Sequence, residues 1–226
     1  YRFKHFSGQD SYPWAIIPPR GANLAVVAHE IGHHLGFQHS SGPYNTAYGS
    51  GWDFMSRGRN RANPDPEFGT SPVSLIAYQM LTAGWLPLSR VYYADTGAHE
   101  VRLERLSAPT NKKDPLVVVI PVDKRVGRYY TVEARLYAGN DQKGGIPGEA
   151  VIIHDVTNVH DLASIQRALR HAQAQVVDVD NNGNPNDEGA MWTKGEKFVD
   201  TRNGIVVSVL DRDATGFRVR IEVHRP

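Results

Sequence analysis

Four of the ten histidines in this 226-residue chain lie between positions 29 and 39, and three of them have the spacing of metal ligands. The segment has the pattern H-E-x-x-H-x-x-G-x-x-H. On an α-helix, residues i and i+4 share a face, so His29 and His33 can bind the same ion. Gly36 can adopt the positive φ that ends a helix and returns His39 to that ion. Three histidines leave one position for water, so the pattern predicts a catalytic Zn²⁺ site.

Glu30 follows the first of these histidines and is not needed as a ligand. Zinc lowers the pKa of a bound water to about 7. The Glu30 carboxylate can accept that water's proton as the oxygen attacks a peptide carbonyl, and can then deliver it to the leaving amine. The alternative is that these are ordinary surface or core histidines, since a bare H-E-x-x-H also occurs by chance. His34 falls near the apolar face and is predicted to pack there or to support a ligand histidine, and not to bind the metal.

The residues around this pattern predict the helix that carries it. Leu24, Val27, Ile31 and Leu35 recur with helical spacing and form one predicted core face. Asn23 is a suitable N-cap residue immediately before them. The expected helix therefore begins at residue 24, ends before Gly36, and turns its two histidines away from the core.

The rest of the chain changes character twice. Residues 40–72 are rich in Gly, Ser, Asn and Pro and predict irregular structure, while residues 74–85 have helical spacing. From residue 91 onward, short β-branched segments separated by turn residues predict strands. These segments are residues 101–106, 116–122, 129–136, 150–156, 175–179, 204–210 and 216–223. An edge strand is also expected at residues 12–17, and a helix or covering loop at residues 162–172.

The residues after the zinc pattern resemble those of the metzincin zinc peptidases, which place a methionine in a tight turn beneath the metal. The segment Gly-Trp-Asp-Phe-Met-Ser puts Met55 sixteen residues after His39. The alternative is that Met55 is an ordinary buried methionine. Later segments are similar to the gametolysin-like and immune-inhibitor-A-like secreted metallopeptidases, namely residues 83–86, 130–135 and 147–154.

The chain departs from that resemblance in three ways. Immune-inhibitor-A-like members commonly carry Asp as the third ligand, where this chain has His39. Some metzincins use a Tyr just after the Met, where this chain has Ser56 and Arg57. Only 28 residues precede His29, which is short for the upper subdomain of such enzymes. We therefore expect a truncated upper subdomain, or processing that leaves a separate N-terminal chain or pro-segment.

The resemblance implies a fold, a reaction and a location. The expected fold is α+β, with a zincin-like catalytic subdomain (zinc helix and Met-turn) at residues 1–90 and a β-rich domain at residues 91–226. The implied activity is that of a secreted zinc endopeptidase, whose extended polypeptide substrate pairs with an edge strand. The alternative function is a catalytically inactive zinc-containing protein that binds its partner, or acts structurally, through the β domain.

A second candidate metal site lies in the β-rich part. Residues 178–183 match the start of an EF-hand loop, but position 12 of that loop is Gly189 and not Glu. Oxygen ligands on a flexible loop suit Ca²⁺, and the candidates are Asp178, Asp180, Asn182, Asn184 and Asp187. The alternative is a polar turn whose Asx side chains cap their own backbone. The expected role of the ion is to hold the segment before Met191.

Two further pairs carry weaker chemical signals. Ser40 and Asp53, close in sequence to the ligands and the Met, are candidate hydrogen-bond partners of the imidazoles. His154 and Asp155 end an apolar segment, where they could form a second catalytic or metal-binding pair or a local strand-end pair.

The composition excludes several other classes of function. The chain has no cysteine, which excludes a disulfide scaffold, a thiol nucleophile and a cysteine-bound zinc site. Its formal charge of +1 gives no reason to expect a nucleic acid or an anionic membrane as a partner. No apolar run approaches the roughly 20 residues that span a bilayer.

Overall fold

The computed structural model describes residues 23–44, 48–56, 63–157 and 174–225. This part contains helices α1 (Leu24–His34) and α2 (Ala77–Thr82), with short 3-10 helices at Leu88–Arg90 and Glu188–Ala190. Its eleven strands are β1 (Asn63–Asp65), β2 (Gly69–Ser71), β3 (Val91–Tyr93), β4 (Gly97–Glu104), β5 (Val117–Asp123), β6 (Arg128–Arg135), β7 (Ala150–Thr157), β8 (Ala174–Val176), β9 (Lys197–Asp200), β10 (Ile205–Asp213) and β11 (Gly216–Val223). The strand expected at residues 12–17 and the element expected at residues 162–172 lie outside the described residues.

Two β-sheets packed face to face form the main core. One sheet has the strand order β4-β11-β10-β9, and the other has the order β3-β5-β6-β7-β8. Neighbouring strands in both sheets are antiparallel except β3 and β5, which are parallel. The inner faces of both sheets share one apolar cluster, whose largest fully buried members include Leu103, Ile120, Ile153, Phe217 and Ile221.

The outer face of the five-stranded sheet is covered as well. Successive residues of a strand point to opposite faces, so Ala150, Ile152 and Val156 of β7 point away from the main core. They pack against Trp52 and Ile76, which precede α2, in a second apolar cluster. Strand β7 thus contributes to both apolar clusters, and Trp52 and Ile76 pack against the outer face of the five-stranded sheet.

A buried ionic cluster ties the same segment to β6. The Arg135 guanidinium is fully buried and donates to the two carboxylate oxygens of Asp141 at 2.7 and 2.9 Å, and to Glu133 at 2.9 Å. It also donates to the carbonyl of Trp52 at 2.7 Å, while Glu133 accepts from the N–H of Ala77 at 2.7 Å. A buried charge needs such partners. The cluster therefore fixes Trp52 and the start of α2 relative to the sheet.

The zincin-like α+β fold expected from the resemblance is wrong for this chain. Of the described residues, 40% lie in strands and 13% in helices, and only two of those helices are α-helices. Helix α1 has eleven residues, so it is not the long zinc helix of such a subdomain. The reason is visible in the sequence, because helical spacing around the histidines stops at Gly36 and short alternating β-branched segments dominate from residue 91 onward.

Helix α1 buries a different face from the predicted one. Its buried residues are Ala25, His29 and Gly32. The expected core residues Leu24, Ile31 and Leu35 are 38%, 50% and 51% exposed. Hydropathy spacing marks an apolar face but does not tell which face meets a neighbouring element. Here the face that packs inward is the one with the small residues and the first histidine.

The strand predictions agree with the structure more closely than the helix predictions do. Each predicted β segment after residue 91 overlaps a strand, whereas β1, β2, β3 and β9 have only three or four residues and were not predicted. Helix α2 has six residues where the spacing predicts twelve at residues 74–85. No helix in the described part of the chain is long and apolar enough to span a membrane.

Candidate functional site

The three histidines of the sequence pattern converge in space. The Nε2 atom of His33 lies 3.2 Å from Nε2 of His29 and 2.9 Å from Nε2 of His39. Two nitrogens bound tetrahedrally to zinc at 2.0–2.1 Å would be about 3.3 Å apart. The three side chains therefore form a group that can hold a metal ion of this size, with all ligand atoms within 4.8 Å of one another.

Backbone carbonyls set the orientation of two of these rings. Nδ1 of His29 lies 2.9 Å from the carbonyl oxygen of Phe54, and Nδ1 of His33 lies 3.0 Å from that of Phe37. A carbonyl only accepts, so each Nδ1 must carry the proton. The Nε2 atoms of neutral rings then present two lone pairs to each other. A cation between them removes that repulsion, which fits a metal-binding role.

The end of α1 returns the chain toward the metal. Gly36 adopts φ 92°, in the left-handed region that the sequence leads us to expect. Its N–H donates to the carbonyl of His33 at 3.0 Å, and the N–H of Phe37 donates to that of Gly32 at 2.9 Å. These two bonds form a Schellman C-cap. The reversal brings His39 back beside the helix face that carries the first two histidines.

Met55 lies directly beneath the histidine-bearing helix. It is fully buried, and a Cβ built on Gly32 would lie 2.5 Å from its sulfur. Met55 belongs to a small apolar cluster with Phe37. The turn that presents it is closed by the N–H of Ser56, which donates to the carbonyl of Asp53 at 3.0 Å. Gly32 is thus the residue that allows the helix and this turn to approach closely.

Ser40 and Asp53 bond to each other and not to the imidazoles. The Ser40 hydroxyl donates to the Asp53 carboxylate at 2.7 Å, and the N–H of Met55 donates to the same carboxylate at 3.2 Å. Both side chains are fully buried, and burial raises the pKa of Asp53 to about 6. The pair therefore joins the residue after the third histidine to the methionine turn. The backbone carbonyls of Phe37 and Phe54, and not this pair, accept the hydrogen bonds of the two imidazoles.

Glu30 and His34 occupy more open positions on α1. Glu30 is half-buried, and its carboxylate makes no hydrogen bond or salt bridge with any described residue. His34 is exposed, and its Nδ1 donates to the carbonyl of Glu30 at 2.9 Å. The prediction that His34 packs near an apolar core is therefore wrong, because the face it adjoins is itself exposed.

Tyr48 is a site residue that sequence reasoning missed. Its ring centroid lies 4.4 Å from that of His39 and 5.9 Å from that of His29. Its φ of 61° is unusual for a residue other than glycine. The available signal was an aromatic residue in the Gly- and Ser-rich stretch between the third histidine and Met55. A hydroxyl-bearing ring thus stands beside the proposed metal ligands.

The residues of the predicted calcium loop also come together. Ligand oxygens of Asp178, Asp180 and Asp187 lie within 4.8 Å of one another. The Nδ2 atoms of Asn182 and Asn184 lie 2.9 and 2.8 Å from Oδ2 of Asp187. Burial raises the pKa of Asp178, and the neighbouring negative charge of Asp180 raises it further. The loop therefore gathers several oxygen-bearing groups around one point.

His154 and Asp155 do not act as a pair. His154 is fully buried in β7 opposite Thr131, and burial lowers its pKa to about 3. Asp155 is only partly buried and is bound to Arg128 at 2.6 Å. Adjacent residues of a strand point to opposite faces, which separates the two side chains.

No family model, curated protein or solved structure matches this chain.

Proposed function

We propose that this chain is a zinc-dependent endopeptidase in which His29, His33 and His39 hold the metal and Glu30 is the general base. The observation that carries this proposal is the convergence of three imidazole Nε2 atoms at 2.9 and 3.2 Å, with two of the rings fixed through Nδ1 by backbone carbonyls. The resemblance to metzincins supports it through the pattern at residues 29–39 and the turn at Met55. The zincin fold is not part of the proposal.

The donor set favours zinc among the common metals. Neutral imidazole nitrogens suit zinc, whereas magnesium and calcium prefer oxygen ligands. Three protein ligands with an open position are the arrangement of catalytic sites, while structural zinc sites use four protein ligands. When bound, zinc acidifies a water molecule and polarises a carbonyl group.

Glu30 is placed to handle the proton in this reaction. Because no described residue holds its carboxylate in an ion pair, the side chain is available to accept a proton from the attacking water. It then delivers that proton to the amine of the departing peptide. His34 donates to the backbone carbonyl of the same residue, so it does not compete for the carboxylate.

The substrate we propose is an extended segment of an extracellular polypeptide. Water must reach the site, and Glu30 and His33 are half-buried, so both side chains contact solvent. The secreted location follows from the resemblance alone. Recovery of the mature chain only from inside the cells of its host, and not from the medium, would count against it.

Cleavage of a denatured protein tests the function directly. Zinc-loaded protein incubated with casein should yield internal cleavage products by mass spectrometry. The chelator 1,10-phenanthroline should abolish this cleavage, its non-chelating isomer should not, and added Zn²⁺ should restore it. Protein that holds stoichiometric zinc and leaves casein and a mixed peptide library intact would instead support the inactive binding or structural role.

A further inference from the structure

The loop after β8 contains a buried carboxylate oxygen that lacks a partner. Asp178 is 8% exposed, and its Oδ1 atom is buried without a hydrogen-bond partner among the described residues. A buried oxygen with negative charge is costly unless a donor or a cation satisfies it. Within 4.8 Å of this group lie the carboxylate oxygens of Asp180 and Asp187. Three acidic side chains thus share one small volume around an unsatisfied atom.

Gly189 forms the floor of that volume. A Cβ on this residue would collide with Oδ1 of Asp178 and with the Asp180 carboxylate. The N–H of Gly189 donates to Oδ1 of Asp187 at 3.2 Å, which fixes that third carboxylate. Any side chain at position 189 would fill the space onto which the carboxylates converge.

Two amide side chains complete the oxygen-bearing group. Nδ2 of Asn182 lies 2.9 Å from Oδ2 of Asp180 and 2.9 Å from Oδ2 of Asp187, so this amide sits between two carboxylates. The Oδ1 atom of Asn182 accepts from the N–H of Asn184 at 2.8 Å, and a half-turn of the amide would exchange that bond for an oxygen presented to the ion. Asn184 lies against Asp187 in the same way. Three carboxylates with two amide oxygens supply a ligand set that suits Ca²⁺, which takes six to eight oxygens in flexible geometry.

The acidic loop is bound to the segment that follows the third histidine. The Tyr44 hydroxyl donates to Oδ2 of Asp178 at 2.6 Å. The Asn186 amide accepts from the N–H of Gly51 at 2.5 Å and donates to the carbonyl of Gly49 at 2.8 Å. These contacts bracket Tyr48 and end just before the turn that carries Met55.

A short parallel pairing anchors the same segment at its other end. The N–H of Ser41 donates to the carbonyl of Ala174 at 3.1 Å, and the N–H of Val176 donates to the carbonyl of Ser41 at 2.9 Å. Ser41 is two residues after His39, and Val176 is two residues before Asp178. Gly42 also lies against the ring of Pro185, where a Cβ would collide. The acidic loop therefore packs against residues 41–44 and 48–51 of this segment.

We propose that residues 178–189 bind one Ca²⁺ ion and that this ion holds residues 41–44 and 48–51 in place between the third histidine and Met55. The sequence predicts that such an ion would fix the segment before Met191. The hydrogen bonds of the loop instead join it to the segment that follows His39. The inference goes beyond the proposed peptidase activity, since the ion would order the segment that follows His39 whatever reaction the three histidines support.

Calcium binding is tested on metal-stripped protein by isothermal titration with CaCl₂. Wild type and the control Glu188→Gln, which alters an exposed acid in the same loop outside the carboxylate group, should bind one equivalent with equal affinity. Asp180→Asn should weaken binding at least about tenfold, because it removes one charged ligand. Asp180 is exposed, so this variant should fold, which circular dichroism checks. Absence of calcium uptake by wild type, or equal uptake by Asp180→Asn, would overturn the site.

Hydrogen exchange tests whether the ion holds the segment. Calcium should slow amide exchange of residues 41–44 and 48–51 at least about tenfold in wild type and in Glu188→Gln, but not in Asp180→Asn. Asn186→Ala should still bind calcium and should lose the protection of Gly51, because its amide makes the bond to that residue. Calcium binding without any change in exchange at residues 41–44 and 48–51 would overturn the holding role. Neither readout depends on peptidase activity, so their failure would leave the proposed function untouched.

Discussion

The ring of Tyr48 lies beside that of His39, with 4.4 Å between the ring centroids. Tyr48 holds a φ of 61°, a conformation that costs roughly 1–2 kcal/mol for a residue with a side chain. Strain of this kind persists only where surrounding contacts impose it, and it is concentrated at functional sites. The hydrogen bonds of Asn186 to Gly49 and Gly51 fix the backbone immediately C-terminal to Tyr48. The aromatic ring is therefore kept next to the third histidine.

The first prediction concerns the phenol hydroxyl of Tyr48. We expect its hydroxyl to stabilise the negative oxygen that develops on the substrate, so Tyr48→Phe should lower kcat about 100-fold while KM and zinc content stay unchanged. The exposed Tyr93 provides a control, since Tyr93→Phe should leave kcat unaltered. Activity of Tyr48→Phe within a factor of about two of wild type would show that the ring serves only to pack against His39.

Metal content should depend on one of two adjacent histidines. His33→Ala should reduce bound zinc from stoichiometric to near zero, since two remaining nitrogens make a poor zinc site. His34→Ala should keep full zinc content, because His34 is exposed and, among the described residues, its hydrogen bond is to a backbone carbonyl. Elemental analysis after dialysis against a weak chelator measures both. Equal zinc loss in the two variants, or none in either, would mean that the metal binds elsewhere.

The close approach of Gly32 and Met55 should appear as coupling between two substitutions. Gly32→Ala gains up to about 1 kcal/mol of helix propensity but places a methyl group 2.5 Å from the sulfur of Met55. Overpacking of a buried contact costs about 1–3 kcal/mol, so we expect net destabilisation. In a Met55→Ala background the same change should be neutral or stabilising. Urea denaturation of the four proteins gives the coupling, and equal effects of Gly32→Ala in both backgrounds would contradict the contact.

His154 should make stability depend on pH. Burial, aided by the positive charge of Arg135, lowers its pKa from 6.5 to about 3, so the folded protein keeps it neutral. Its contribution to stability is therefore fully present above pH 6.5 and is lost as the pH falls toward 3. His154→Leu takes up no proton. Relative to wild type, the free energy of unfolding of this variant should rise by about 1 kcal/mol for each pH unit below 6.5.

This pH effect is measured by urea denaturation of metal-stripped protein, so that titration of the metal ligands does not intervene. The same measurement on His224→Leu, at an exposed position, provides the matched control for replacing a histidine with leucine. A stability difference between His154→Leu and wild type that stays constant from pH 7 to pH 4 would contradict this, since it would mean that the imidazole takes up its proton as readily in the folded protein as in the unfolded chain.

The sequence predicted the local structure of the candidate site well, because that structure depends on short-range rules. The i, i+4 spacing of His29 and His33 and the positive φ of Gly36 follow from helix geometry and from the lack of a side chain on glycine. Asn23 caps the helix as expected, accepting from the N–H of Val26 at 3.1 Å. Alternating β-branched segments likewise predicted most of the longer strands.

The long-range arrangement could not be predicted in the same way. Spacing marked Leu24, Ile31 and Leu35 as an apolar face, but only tertiary packing decides which side of a helix is covered. Ser40 and Asp53 were expected to bond to the imidazoles, but they bond to each other, because nearness in sequence does not determine which side chains lie within hydrogen-bond distance. The position of Tyr48 depends on the hydrogen bonds that Gly49 and Gly51 make with Asn186, which is far away in sequence. The α+β fold was inferred from a family resemblance carried by a few short motifs, and such motifs do not determine how strands assemble.

Glu30→Gln is the most direct test of the proposed reaction, because it separates metal binding from catalysis. The amide has nearly the same shape as the carboxylate but cannot accept a proton from water. We predict that the variant binds stoichiometric zinc and that its rate of casein cleavage falls by about 10²–10⁴-fold, the contribution of a general base. Exposed Glu67→Gln, as a matched control, should cleave at the wild-type rate. A zinc-loaded Glu30→Gln protein that cleaves casein at near the wild-type rate would contradict the account.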